Sequence, residues 1–183
     1  MLKRALLAAG IVVPVTFAVV TATFADEPCR SRASLDWARA GKGYIVEAVA
    51  DGPTCQQAVI VQVVRRPDGT PLWSDVVLAE WRFADEAPAN SAAMEKALGQ
   101  MLVDGLRGVV LSDQLPEWSQ AEEGTLRRGG TVWYAEAGVE RAAWNALRNA
   151  KRPIFTYLQG TDSVGVLALG ADGTITKVGY FVP

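Results

Sequence analysis

The chain has 183 residues, half of them hydrophobic, with a formal net charge of −2 and no histidine. That length suits about one domain, and the charge offers no basic footprint for nucleic acid. The missing imidazole excludes Ser-His-Asp and Cys-His catalysis, HExxH zinc chemistry and the usual near-neutral pH switch within one protomer.

Residues 1–25 read as a secretory signal peptide. Lys3 and Arg4 open it, residues 5–20 are almost wholly apolar, and Thr23 and Ala25 supply small residues where a signal peptidase cuts. The apolar run falls short of the roughly 20 residues that span a bilayer, and Pro14 interrupts it, so a cleaved leader is expected rather than an anchor. Asp26-Glu27-Pro28 before Cys29 is not the small, apolar lead-in of a lipoprotein. Cleavage after Ala25 removes two basic and no acidic residues, leaving 158 residues of net charge −4, expected as a single domain over 26–183. No later stretch is long and apolar enough to span a membrane. The expected location is the periplasm or the medium.

Cys29 and Cys55 are the only two cysteines. An even count in an exported chain predicts one disulfide between them. Closing a loop of that length stabilises by roughly 3 kcal/mol on the chain-entropy model. With no CxxC spacing and no histidine, a redox or metal pair is disfavoured, and no metal or cofactor is expected.

In chain order, Ser34 as N-cap and Gly41 as terminator predict a short helix over 34–40. Residues 44–50 read as a strand with Tyr44, Val46, Ala48 and Ala50 on one face. Residues 59–66 are a clearer, β-branched strand. Pro67-Asp68-Gly69-Thr70 is hairpin chemistry, and a long third strand is expected over 72–83. On it Trp73 and Trp81 share a face with Val77, which reads as core. The three runs suggest an antiparallel meander.

A helix capped by Asn90 or Ser91 follows. Met94, Ala97, Leu98, Met101, Leu102, Gly105 and Leu106 recur at helical spacing along it, and Gly108 ends it. Residues 109–130 are the weakest stretch for regular structure, and a long irregular segment in a compact domain is functional or mobile. A short strand over 131–134 and a second helix over 138–150 come next, with Arg148, Lys151 and Arg152 complementing its dipole. Strands over 154–159, 164–170 and 174–182 form a second meander. Strands and helices are segregated rather than alternating, so the expected class is α+β: two antiparallel three-stranded meanders, in one sheet or two, packed against two amphipathic helices.

Motifs that carry chemistry are few. Asp68-Gly69-Thr70 and Asp172-Gly173-Thr174 read as turns, not as the Asp-Thr/Ser-Gly of aspartic proteases. GxSxG, SxxK, GxGxxG, the phosphate-cradling loop and the Asp-rich calcium loop are all missing. Glu122-Glu123 beside Arg127-Arg128 is the one charged knot in the irregular segment. As a solvated charge run it does nothing; as a catalytic pair it would serve a histidine-free hydrolase or lyase. The leading expectation is a non-catalytic binding or accessory protein of the cell envelope. Its recognition surface would be Trp118, Arg127, Arg128 and Trp133, because aromatics and arginines are favoured at interfaces and Trp118 and Trp133 flank the irregular loop as the expected exposed pair. The partners this implies are an envelope protein, a glycan or an anionic small molecule. A structural subunit of an envelope assembly is a further alternative.

Overall fold

The computed structural model describes residues 27–83, 86–118, 125–159 and 162–183. The leader and the Glu122-Glu123 pair therefore lie outside the described residues. The fold is α+β.

Sheet 1 is a four-stranded antiparallel meander: β1 (Cys29–Asp36), β2 (Ile45–Gly52), β3 (Val59–Arg65) and β4 (Pro71–Leu78), in chain order. β1 replaces the helix expected over 34–40, of which only a 3-10 turn over Ala38–Ala40 remains. Pairing overrode local capping. Cys29, Ser31, Ala33 and Leu35 alternate onto the inner face opposite Gly52, Ala50, Ala48 and Val46, and two of these rows join the core through Ala33 and Leu35. The Cys29–Cys55 disulfide pins the start of this strand to the β2–β3 loop. The long third strand is also shorter than expected. It stops at Leu78, and Ala79–Phe83 turn into helix α1. Trp73 and Val77 stay on the inner face and pack on the core, whereas Trp81 leaves the strand and is 61% exposed.

Helix α2 (Ser91–Arg107) is capped as the sequence indicates, with the Asn90 side chain accepting from the Ala93 N–H at 2.9 Å. Met94, Leu98, Met101, Leu102 and Gly105 form its buried face. It lies against β1 and β2 on one side and β7 on the other.

Sheet 2 has five antiparallel strands in the order β5 (Thr125–Arg128), β6 (Thr131–Ala135), β9 (Ile175–Val182), β8 (Ser163–Leu169), β7 (Ile154–Gln159). The last three are the expected second meander, and the β5–β6 hairpin extends it by pairing β6 with β9. Helix α3 (Arg141–Ala150) covers the outer face of this sheet.

Two cores result. One lies between the inner faces of the sheets and α2, with Trp37, Ile60, Val64, Leu98, Leu102, Phe155 and Leu167 at its centre. The other lies under α3, around Trp144, Leu126, Trp133, Ile154 and Val166. The two Asp-Gly-Thr turns meet between the sheets. Arg66 Nη2 donates to the Gly173 carbonyl at 3.1 Å, and each Asp accepts from the backbone N–H two residues on, Asp68 from Thr70 at 2.9 Å and Asp172 from Thr174 at 3.0 Å. Gly69 and Gly173 take φ of 84° and 76°, the left-handed geometry these turns require. The same bonds hold both Asp carboxyls below their usual pKa.

Candidate functional site

The four residues singled out in the sequence are divided among different environments. Trp133 is 4% exposed and stacks on Phe181 at 4.3 Å inside the α3 core. This corrects the expectation that it is exposed. In a run apolar on both faces, alternation does not say which face turns inward. Trp118 is half-buried and meets Trp144 edge-on at 6.1 Å. Trp144 in turn donates its indole N–H to the Pro116 carbonyl at 2.9 Å. Both tryptophans thus belong to the α3 core. Arg127 and Arg128 are exposed at the end of β5. Arg128 sits opposite Thr131 and Arg127 opposite Val132, so by strand alternation they point to opposite faces of sheet 2. The structure gathers Trp118 and Trp133 but not the two arginines with them.

Arg148, near the end of α3, is held in place. It donates to the Leu115 carbonyl at 3.0 Å and pairs with Glu117 at 3.7 Å. Among the described residues no three His, Cys, Asp or Glu side chains group so as to hold a metal ion.

A different row of residues converges on one surface. On the inner face of sheet 2, Tyr157 pairs with Gly165, Gly165 with Tyr180, and Tyr180 with Tyr134. Directly opposed residues share a face, so β7, β8, β9 and β6 place three tyrosines in one line across the sheet. Glycine in the line has a steric reason: a Cβ at Gly165 would meet the Tyr157 ring at 2.4 Å. The Tyr157 ring therefore lies across β8, with its hydroxyl end directed toward β9. At one end of the row Trp73 of β4 packs on Tyr157 with ring centroids 4.5 Å apart. At the other end Tyr134 and Tyr180 stack at 4.9 Å, and both remain half-exposed.

Charged groups line the same strip. Glu136, two residues beyond Tyr134, pairs with Lys177 at 2.9 Å. Asp75 on β4 and Arg82 on α1 flank Tyr157. Burial first, then the Asp75 and Glu136 carboxylates, push the Tyr157 hydroxyl up to about 12, with Arg82 opposing. Burial lowers the Arg82 guanidinium from its ordinary value, with Asp75 and Tyr157 opposing. Arg82 also donates to the Leu158 carbonyl, tying α1 to β7. Beneath the Asp75 end lies Gln62, the cross-strand neighbour of Asp75. Gln62 is 1% exposed, and neither its amide nitrogen nor its oxygen has a partner. A buried amide in that state is an exception to the ordinary rule of satisfied polar groups.

Arg127, on the same face one row from Thr125 and Tyr134, borders this strip. The tyrosines, Asp75, Glu136 and Lys177 were not singled out in the sequence. Each is an unremarked strand or strand-end residue until β6 is paired with β9. No family model matches the chain, and no curated protein or solved structure is significantly similar to it.

Proposed function

We propose that the protein is an exported, non-catalytic binding protein of the cell envelope whose recognition surface is the tyrosine strip of sheet 2. The observation that carries this reading is the in-register row Tyr157–Gly165–Tyr180–Tyr134, rooted in the core at Tyr157, half-exposed at Tyr180 and Tyr134, and set on paired strands rather than on a loop. Aromatic side chains with a polar tip provide broad contact area at low conformational cost, and a rigid sheet pre-orders them. Export is supported by the leader pattern of residues 1–25 and by the Cys29–Cys55 bond, which persists in oxidising compartments. Arg127 adds a cation at the rim of the surface, while Trp118 and Trp133 act as packing beneath the opposite face.

Co-sedimentation with a purified, insoluble envelope fraction tests this. The wild-type protein is expected in the pellet, and the Tyr134→Ala/Tyr180→Ala double variant in the supernatant. Equal partitioning of the two proteins would remove the strip from the binding role. Intact mass of the exported protein checks the other half of the proposal, with cleavage after Ala25 and an oxidised cysteine pair as the expected result.

A further inference from the structure

We infer that the outer face of sheet 1, a surface separate from the tyrosine strip, is where two copies of the chain pair about a two-fold axis. The starting observation is an apolar field outside both cores. Strand alternation puts Val49, Val59, Val61, Val63, Val76 and Leu78 on the face opposite to Trp73 and Val77. Register joins them: Val49 lies opposite Val61 and Val61 opposite Val76, with Val59 opposite Leu78 in the next row. None of these residues belongs to either core. Helix α2 turns its buried side to the inner face and leaves this one open. Val76 is 61% exposed and Val59 38%. A contiguous apolar patch on an open sheet marks a contact surface, where scattered single residues would not.

Charge selects a second copy as the occupant. By the same alternation the face carries Arg30, Arg32 and Asp36 on β1, Glu47 and Asp51 on β2, and Arg65 on β3, three bases against three acids. Glu27, Arg39, Lys42, Asp68 and Glu80 stand beyond the strand ends, outside these paired rows. The chain as a whole is acidic, at −2, yet this face adds nothing to that excess. A like copy is therefore not repelled, and neither an anionic lipid surface nor a basic partner is drawn to it. Glu47, the acid set among the valines, is 4% exposed and closed over by Arg32 at 2.9 Å and Arg65 at 3.0 Å, which leaves no bare carboxylate to bury.

The remaining charges are arranged to complement themselves. Arg30 stands at one end of the outer face of β1 and Asp36 at the other. Sheets packed face to face keep their strands within about 30° of alignment. A two-fold axis lying across the strands turns one sheet end for end over the other. Arg30 of each copy then comes over Asp36 of the other, twice in one interface. Within its own chain Arg30 is only loosely engaged, by Asp51 at 3.9 Å with both side chains exposed. The area agrees with a dimer in exchange with its monomer. Four strands at about 4.8 Å spacing and about 7 residues at about 3.3 Å rise cover roughly 450 Å² in projection per copy. Side-chain relief brings the total for two copies to on the order of 1,000 Å², the lower bound for a specific interface.

Sedimentation velocity of the exported, oxidised protein, over a concentration series spanning the expected Kd, tests this. Monomer at the low end and dimer at the high end are expected, with Kd on the order of 100 μM. Val76→Glu, on an exposed side chain, is expected to weaken association about tenfold or more with an unchanged urea midpoint. Arg30→Glu and Asp36→Arg are each expected to weaken it several-fold. The Arg30→Glu/Asp36→Arg exchange is expected to recover most of that loss, which a merely structural role of either residue would not give. The Tyr134→Ala/Tyr180→Ala variant is expected to dimerise like the wild type, so this test is separate from that of the strip. A monomer at every concentration overturns the inference; if Val76→Glu then also abolishes sedimentation with the envelope fraction, the face belongs to an envelope partner instead. Dimers indifferent to Val76→Glu lie on another face, and growth past the dimer shows a head-to-tail contact; either result overturns the inference too.

Discussion

The two faces of sheet 2 use aromatic rings for opposite ends. On the outer face Trp133, Phe181, Trp144 and Trp118 stack and tilt against one another under α3, and the indole of Trp144 is closed off by a carbonyl. On the inner face Phe155 and Tyr157 are buried in the core between the sheets, while Tyr134 and Tyr180 stack half-exposed on the face that also carries the Glu136–Lys177 ion pair. The difference lies in the polar handle. A phenol tolerates a wet edge, whereas an indole with a single donor is satisfied by one backbone carbonyl and then fills volume. On this sheet Trp133 fills the α3 core, while Tyr134 and Tyr180 stay half-exposed. From the sequence alone Trp118 and Trp133 point the opposite way, to the binding surface.

The contrast breaks most severely at Trp144. Trp144→Ala removes the centre of the α3 core and the bond to Pro116, and a loss of about 3–5 kcal/mol is expected in urea unfolding. A loss no larger than that of a surface substitution would show that the outer face is not the structural one. Gly165→Ala is a finer instrument. The new methyl group enters the Tyr157 ring, so the ring must lift away from β8, at a cost of about 1–3 kcal/mol. It also disturbs the tyrosine row without touching the second core, so ligand binding falls more steeply than stability does. The smallest effect is the titration of Tyr157. Its hydroxyl ionises at about 12 in the folded chain against an ordinary value of 10.0, so its contribution to stability is complete below pH 10 and is lost as pH rises from 10 to about 12. Absorbance at the phenolate band should show this late step, and Tyr157→Phe should abolish it. A step at the ordinary value would mean that the inner row is as wet as free solvent.

Much of the scaffold was legible in the sequence. The stripe from Met94 to Leu106 with Asn90 before it is a period-3.6 signal with its own cap, and both the helix and the capping bond are present. Asp68-Gly69 and Asp172-Gly173 announce their turns because few other residues accept that backbone. The disulfide followed from cysteine arithmetic. Less was legible where partners decide. Residues 34–40 read as a helix because Ser34 and Gly41 are good helix punctuation, yet pairing of Cys29–Asp36 with β2 outweighs a cap on a helix of two turns. Leu72, Val76 and Leu78 promised a strand that ran on through residue 83, whereas it gives way at Ala79, whose N–H turns to the Ala58 carbonyl. The binding strip was hardest of all. Tyr134, Tyr157 and Tyr180 lie on three strands, and they become a row only once β6 crosses some 40 residues of chain to join β9. The segment 131–135 is apolar on both sides, so nothing local shows that Trp133 turns to the α3 core and Tyr134 to the other face.

The contact between α2 and β7 has one more effect. At Gly105 the helix comes so close that a Cβ there would lie 2.3 Å from the Thr156 carbonyl, and the Thr156 hydroxyl donates back to Gly105 at 3.0 Å. A strand that would otherwise offer open backbone to any passing chain is thereby sealed. At the far side of the same sheet the border is only four residues long and ends in two arginines. A short, charged border is a poor template for another chain, so both margins of this sheet are blunted against edge-to-edge pairing.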